Sequence, residues 1–256
     1  MKEIFGTNRA IEETRQIALK RTPEGRKPGI NWALTLVIGF IVLMGATMAS
    51  VIPALGLLIA DAALSGEEVI ITLSDLNTEN SAFVLGSLWG EGFIIVAFLI
   101  YARINEMRKP ATLGFKKKGF LLQYLIGAIA GIGSFSLALL INYVCKAVTI
   151  THSGSIDIVT MLAFSGGWIL QGMAEEVTCR GFLLTSLSRR YSVTFGVIVS
   201  SLVFAALHLG NPGVTPLALL NLFLFGIFAA LMFIKTDARH FIHSGISRRA
   251  TFTVSR

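Results

Sequence analysis

The feature of this sequence that most constrains its fold is a succession of six long apolar runs, separated by short charged or polar connections. A helix that crosses the hydrocarbon core of a bilayer needs about 20 predominantly apolar residues. The runs extend over residues 33–60, 83–101, 121–145, 158–187, 193–209 and 216–234. The sequence therefore predicts an all-α fold, a multi-pass helical membrane bundle of about six spans.

Composition favours the same class of protein. The chain is 54% apolar and only 14% charged, whereas about a quarter of the residues in soluble domains are charged. The net charge of +7 comes from Lys and Arg residues that lie mostly between the apolar runs. The expected partner is therefore the lipid bilayer, and no nucleic-acid partner is predicted.

The cysteines and the N-terminus exclude two further classes. Cys145 and Cys179 both lie in apolar segments, a pattern that indicates neither a disulfide framework nor a CxxC metal site. The first apolar run begins near Ala33, much farther from the initiator than the short apolar region of a secretory signal. No cleavable signal is predicted.

The connections between the runs alternate in charge. Residues 1–30 are basic, the connection at 61–79 has five acidic residues and no Lys or Arg, and residues 103–118 are basic again. Lys and Arg are enriched on the cytoplasmic side of membrane proteins. We therefore expect a multi-pass protein of the cell membrane whose N-terminus and tail are both cytoplasmic.

The fourth run contains three ionisable residues, Glu175, Glu176 and Arg180. Such residues are costly inside a membrane and are functional candidates by default. On a helix, Glu176 and Arg180 are four positions apart and can form an ion pair. This leaves the carboxylate of Glu175 on a different face, free to exchange protons as a general base.

His208, near the end of the fifth run, is expected to lie at the same depth as Glu175. Glu175 precedes Arg189 by 14 residues, and His208 follows Ser192 by 16. At 1.5 Å per helical residue, these separations place the two residues about 21 and 24 Å from the same basic turn. An antiparallel pair of helices therefore brings them to one level.

Two more polar residues share that level. Asn221 precedes Lys235 by 14 residues and Glu91 precedes Arg103 by 12, which corresponds to about 21 and 18 Å. Taken alone, each polar group has a structural explanation: Asn221 as an interhelical hydrogen-bonding group, and Glu91 as a buttress or a cavity-facing residue. The shared level across four helices favours a joint function, with Asn221 and Glu91 as accessory residues.

The remaining candidates have structural explanations too. A single histidine near a helix end, such as His208, is more often a hydrogen-bonded packing residue than a catalytic one. The Glu176–Arg180 pair by itself is equally consistent with an ion pair that ties helices together.

Two motifs on consecutive runs resemble those of a known family. They read Glu175-Glu176-x-x-x-Arg180-Gly181 and Phe204-x-x-x-His208. In this order they are similar to the CPBP family, which comprises CAAX-type prenyl-protein proteases, bacteriocin-processing proteins and Abi-type intramembrane endopeptidases. The resemblance covers about residues 158–234.

The resemblance implies an intramembrane protease that hydrolyses a peptide bond with an activated water. Carried over by position, Glu175 is the catalytic base and His208 its catalytic partner, with Glu176 and Arg180 as the supporting pair. The chain as a whole is expected to have four parts: a cytoplasmic N-terminal segment, the first three spans, a CPBP/Abi-like catalytic core and an atypical basic tail. These correspond to residues 1–30, 31–145, 158–234 and 235–256.

The cofactor is left open by the resemblance, because members of the family have been described both as metalloproteases and as metal-independent glutamate proteases. A divalent metal such as zinc would have Glu175 and His208 as candidate ligands. These are two of the three protein ligands usual at a catalytic zinc, and the sequence contains no HExxH motif.

The tail departs from the family pattern. The resemblance implies a further span with His-x-x-x-Asn, yet residues 235–256 contain no apolar run of bilayer length, and His243 is followed four positions later by Ser247. We keep His243 as a candidate accessory residue. The expectation is a truncated or out-of-frame tail that stays cytoplasmic or loosely ordered, and a chain with weak or no activity.

Three functions from different classes fit these observations. The first is an intramembrane endopeptidase that cleaves membrane-associated proteins or peptides, in CAAX-type processing or in bacteriocin maturation or immunity. The second is a non-catalytic membrane scaffold or immunity protein on the same fold. The third is an ion-coupled or proton-coupled transporter, which usually shows repeat symmetry between its two halves; we detect no such repeat in this sequence.

Overall fold

A computed structural model describes residues 8–66, 80–115, 120–149, 157–211 and 213–250, and this part of the chain is helical, without a β-strand. The α-helices are α1 Arg9–Leu19, α2 Trp32–Ser65, α3 Ser81–Gly90, α4 Gly92–Ile104, α5 Phe120–Val144, α6 Ile158–Glu176, α7 Thr185–Arg190, α8 Val193–Leu207 and α9 Pro216–Ala250. A 3₁₀ turn, Pro110–Leu113, follows α4, and a π-helix, Val177–Leu184, joins α6 to α7. The predicted all-α fold is confirmed.

Four helical segments in the described part of the chain are long and apolar enough to cross a membrane. They are Trp32–Ser65, Ser81–Ile104, Leu125–Val144 and Pro216–Thr236. A shorter apolar helix, Val193–Leu207, lies at the fifth predicted run. The predicted run at residues 158–187 is not among these candidate spans. In the structure it is divided among α6, the π-helix and α7. The count is roughly compatible with the predicted six spans.

The first span is longer than the run that predicted it. α2 has 34 residues, is capped at its start by the side chain of Asn31, and ends at Gly66 in the left-handed conformation. Many of its large apolar side chains are exposed, including Ile41 at 63% and Ile52 at 67%. An apolar surface of this kind is suited to lipid.

The polar N-terminal segment contains a packed helix that the apolar pattern did not reveal. The side chain of Asn8 caps α1, and its Nδ2 also donates a hydrogen bond to the backbone oxygen of Ile234 at 3.3 Å. Ile11 of α1 joins a buried cluster with Leu184, Val197, Ala230 and Ile234. α1 therefore lies against the part of the chain that carries the predicted motifs.

Small residues allow two close helix contacts. A Cβ atom at Gly90 would lie 2.5 Å from the backbone oxygen of Ser50, so only glycine permits this contact between α3 and α2. A Cβ atom at Gly226 would lie 3.0 Å from Cβ of Ser201, at the contact between α9 and α8. Close approach at small residues is the usual packing mode of membrane helices.

The chain divides into two compact units, Met1–Gly114 with Phe164–Arg256, and Phe115–Ala163. The second unit contains α5 and the start of α6. In it, Asp157 accepts hydrogen bonds from the amide of Val159 and from the hydroxyl of Thr160 at 3.0 and 2.5 Å. The Thr160 hydroxyl, followed by the backbone hydrogen bonds, holds the pKa of the exposed Asp157 below its usual value.

Candidate active site

The structure brings Glu175 and His208 together. Oε1 of Glu175, near the end of α6, lies 3.9 Å from Nε2 of His208, which directly follows α8. The two side chains are 30% and 20% exposed, so both are partly buried yet reachable. A separation of 3.9 Å is too long for a direct hydrogen bond, but one water molecule can bridge two polar atoms at this distance.

The ring orientation of His208 is set by its own helix. Nδ1 lies 2.8 Å from the backbone oxygen of Phe204. A carbonyl oxygen only accepts hydrogen bonds, so Nδ1 carries the proton and donates it to this bond. In the neutral imidazole, Nε2 is then the unprotonated nitrogen, and it is the atom that faces Glu175.

Glu176 and Arg180 form the ion pair that their spacing predicted. Nη1 of Arg180 lies 3.0 Å from Oε1 of Glu176. The Arg180 side chain is only 1% exposed, whereas that of Glu176 is 49% exposed. The pair thus joins a buried cation to a partly accessible carboxylate.

Arg180 also contacts the two helices that follow in the chain. Its Nη2 donates a hydrogen bond to the backbone oxygen of Gly226 on α9 at 3.2 Å. Its guanidinium lies over the ring of Phe204 on α8, 4.7 Å from the ring centre, in a cation–π contact. A single side chain therefore holds together α8, α9 and the helix that bears Glu175.

The π-helix that follows Glu176 could not be predicted from the sequence. All eight of its residues, Val177–Leu184, are buried. π-Helical turns are rare in proteins, and many of those that are found lie at functional sites. Gly181 in this π-helix allows the 3₁₀ turn to approach closely, because a Cβ atom there would lie 2.6 Å from the backbone oxygen of Leu113.

A buried polar network supports the π-helix, and the sequence analysis missed it. Arg108 was counted only among the basic residues of a connection, but it is 1% exposed. It donates to the backbone oxygen of Gly181 at 2.8 Å and to Oγ1 of Thr185 at 2.7 Å. Glu106 pairs with Arg108 at 2.9 Å and also with Arg189. Burial lowers the pKa of Arg108, while the charge of Glu106 opposes that shift.

The accessory candidates occupy different environments. Glu91 lies at the break between α3 and α4, close enough to Glu175 for the two carboxylates to interact electrostatically. Asn221 lies on an exposed side of α9. His243 also belongs to α9, but its side chain lies outside the part of the chain that the structure describes. Glu91 is therefore near Glu175.

The described side chains do not fit a protein-bound zinc site. Among them, no group of three or more His, Cys, Asp or Glu residues has the arrangement to hold a metal ion. Glu175 and His208 supply two ligands, and a catalytic zinc generally has three from the protein.

An apolar cavity of about 190 Å³ is lined in part by sequence neighbours of the motif residues. Its lining comes from α2, the π-helix and α8: Leu36, Gly39, Phe40, Leu43, Thr178, Leu183, Val203 and Leu207. Leu207 immediately precedes His208, and Thr178 follows Glu176 by two positions. Oγ1 of Thr178 is buried without a hydrogen-bond partner among the described residues.

Comparison with known families gives a match in the second half of the chain. Residues 157–246 match the family model described as type II CAAX prenyl endopeptidase Rce1-like. No curated protein and no solved structure matches the chain. The matched segment contains Glu175, Glu176, Arg180 and His208, and it extends beyond residue 234, where the predicted core ended. The resemblance predicted from the two motifs is confirmed over residues 157–246, which are similar to the type II CAAX prenyl endopeptidase Rce1-like family.

Proposed function

We propose that this chain is an intramembrane endopeptidase that hydrolyses peptide bonds with a water activated by Glu175. The observation that carries this proposal is the 3.9 Å separation between Oε1 of Glu175 and Nε2 of His208. Both residues lie in the segment that matches a protease family model. A carboxylate and an unprotonated imidazole nitrogen at this separation can hold one water between them. The lipid bilayer is the surrounding medium, and a peptide or protein is the substrate.

The chemistry requires one proton transfer in each direction. The water donates one hydrogen bond to Glu175 and the other to Nε2 of His208, so its lone pair points at the substrate carbonyl. As the water oxygen bonds to the carbonyl carbon, its proton passes to Glu175. When the tetrahedral intermediate collapses and the C–N bond breaks, Glu175 returns that proton to the leaving nitrogen.

Glu176 and Arg180 have supporting roles in this proposal. Arg180 neutralises the charge of Glu176. Of the two adjacent glutamates, Glu175 is therefore the one that is left to take up a proton. Arg180 also positions Phe204, whose ring lies 4.9 Å from the His208 ring between centres. We describe Glu176, Arg180 and Phe204 as positioning residues.

The apolar cavity favours an apolar substrate group next to the cleaved bond. Its lining is almost entirely aliphatic and aromatic, so it suits an apolar side chain or a lipid chain rather than a charged residue. We propose membrane-associated peptides or proteins as substrates, in CAAX-type processing or in bacteriocin maturation or immunity. We further propose that the protein resides in the cell membrane with its N-terminus in the cytoplasm, as the charge alternation indicates.

The test compares membrane proteomes of cells that express the chain and its variants. The variants are Glu175→Gln and His208→Gln, with Glu24→Gln as a control because Glu24 is an exposed carboxylate far along the chain from both motifs. We expect cleavage products that are present with the chain and with Glu24→Gln and absent with the other two. Identical proteomes for all four chains would contradict the proposal and favour a non-catalytic membrane scaffold or immunity protein.

A further inference from the structure

A second cavity, of about 580 Å³, is separate from the Glu175–His208 site. It lies between the N-terminal segment after α1, the end of α4, and α7. Its charged lining residues are Arg21, Arg26, Lys27, Glu106, Arg189 and Arg190. Five cationic side chains thus face one carboxylate.

The cavity lies at the ends of two membrane spans. Ile30 in its lining lies two positions before Trp32, where α2 begins, and Asn105 immediately follows α4, which ends at Ile104. Span ends lie in the headgroup region of a bilayer. The positive charge is therefore placed at the depth of lipid phosphate groups.

Among the described residues, most of this positive charge has no carboxylate in an ion pair with it. The carboxylate of Glu106 is shared between Arg108 and Arg189. Nη1 of Arg190 donates to the backbone oxygens of Lys27 and Gly29, at 3.0 and 2.6 Å. Hydrogen bonds to neutral carbonyl groups fix the position of a guanidinium but leave its charge uncompensated.

Two buried donors in the lining have no hydrogen-bond partner within the described part of the chain. They are Nε of Arg189 and Nε of Arg190. Arg189 is only 6% exposed, so this donor is shielded from bulk water. Native structures leave few buried polar atoms unsatisfied, and such atoms indicate a missing partner. That partner must accept hydrogen bonds, and the five cationic side chains of the lining favour an anion.

We propose that this cavity is a binding site for a phosphate group, supplied by an anionic lipid headgroup or by free phosphate. Guanidinium groups match phosphate oxygens with pairs of parallel hydrogen bonds, which makes arginine clusters suited to this ligand. Basic pockets between spans are known to take lipid headgroups. A phosphate bound here links the N-terminal segment to α7, which directly follows the π-helix next to Glu176. The site depends only on these cationic residues, so it stands or falls independently of the proteolytic function.

The test measures binding to the full chain in phosphatidylcholine nanodiscs through the thermal unfolding midpoint, followed by tryptophan fluorescence. The probes are dioctanoyl phosphatidic acid, inorganic phosphate, and dioctanoylglycerol as a lipid without phosphate, all at constant ionic strength. The variant is Arg26→Gln with Lys27→Gln, since both side chains are exposed in the lining. The matched control is Arg15→Gln with Lys20→Gln, two exposed cations of the same N-terminal region that do not line the cavity.

We expect a saturable rise in the midpoint with phosphatidic acid and none with dioctanoylglycerol. Each basic residue strengthens binding to an anionic headgroup about fivefold, so the cavity variant should bind on the order of tenfold or more weakly. The control variant should bind like the unchanged chain. Saturation by phosphatidic acid alone assigns a lipid headgroup, and saturation by inorganic phosphate at similar concentration assigns free phosphate. No saturable shift with either phosphate probe, or equal weakening in both double variants, overturns the proposal.

Discussion

The guanidinium carbon of Arg180 lies 4.7 Å from the centre of the Phe204 ring, and the same ring packs against the imidazole of His208 at 4.9 Å between centres. One aromatic side chain thus contacts both the buried cation and the candidate catalytic histidine. Phe204 also supplies the backbone oxygen to which Nδ1 of His208 donates. The orientation of His208 therefore depends on residue 204 through both its backbone and its side chain.

The first prediction concerns that ring. Phe204→Leu removes the stacking contacts, at a stability cost of about 1–2 kcal/mol. We expect proteolysis to fall by about tenfold or more, because a shift of about 1 Å in a catalytic group can cost a hundredfold. Phe204→Tyr keeps the ring and should retain most activity. Product formation in membrane fractions is the measurement, and equal activity of the Leu and Tyr variants would contradict a positioning role.

The second prediction concerns the ion pair of Glu176 and Arg180. Glu176→Gln leaves a buried guanidinium without its counter-charge, a change that costs about 3–5 kcal/mol for a fully buried pair and less here because Glu176 is half exposed. Arg180→Met combined with Glu176→Gln removes both charges. The double variant should therefore be more stable than the summed single losses imply, by about 1–3 kcal/mol. The measurement is thermal unfolding in detergent of the unchanged chain, the two single variants Glu176→Gln and Arg180→Met, and the double variant. Additive losses would show that the two residues are not coupled.

The third prediction concerns the contact between α8 and α9. In Gly226→Ala the new methyl group would lie 3.0 Å from Cβ of Ser201, so the helices must separate and Arg180 loses its acceptor geometry. A loss of about 1–3 kcal/mol is expected. Gly45→Ala is the control, because a Cβ atom there meets nothing within 4 Å and the substitution should be neutral or stabilising. Equal unfolding midpoints for the two variants would show that the contact adjusts freely.

The fourth prediction concerns the buried network around Arg108. Its guanidinium binds Glu106, Gly181, Thr112 and Thr185 at once, and the three donors of a lysine cannot reproduce that geometry. Arg108→Lys should destabilise the protein by about 3 kcal/mol or more. Measurement is again by thermal unfolding in detergent.

The control for this network is Arg103→Lys, since Arg103 is exposed and lies in the same region of the chain. Its effect should stay within about 0.5 kcal/mol. Similar losses for the two lysine variants would mean that charge alone, and not the buried hydrogen bonds, accounts for the role of Arg108.

The fifth prediction concerns membrane orientation. The acidic connection and the basic connections should lie on opposite sides of the membrane. Reporter fusions after Gly66 and after Lys118 should therefore report different compartments. The same compartment for both fusions would invalidate the orientation predicted from the alternating charges.

The sequence by itself determined the elements that depend on local pattern and length. Apolar runs of bilayer length indicated the helices, because a helix in a bilayer pairs all its backbone hydrogen-bonding groups within one segment. The 1.5 Å rise per residue was enough to place Glu175 and His208 at one level, and a spacing of four paired Glu176 with Arg180. The structure shows both relationships, at 3.9 and 3.0 Å.

Only the tertiary structure decided how distant segments meet. Arg180 reaches Gly226, 46 positions away, and Arg189 reaches Glu106, 83 positions away. Local pattern carries no information about such pairs, so Arg108 and Arg189 looked like ordinary basic residues of connections. The π-helix is a similar case, because its contacts are also with a distant segment. Arg108 donates a hydrogen bond to the backbone oxygen of Gly181, and Leu113 approaches Gly181 closely. Depth along a helix is a one-dimensional property of the sequence, whereas the partner of a buried charge is settled by three-dimensional packing.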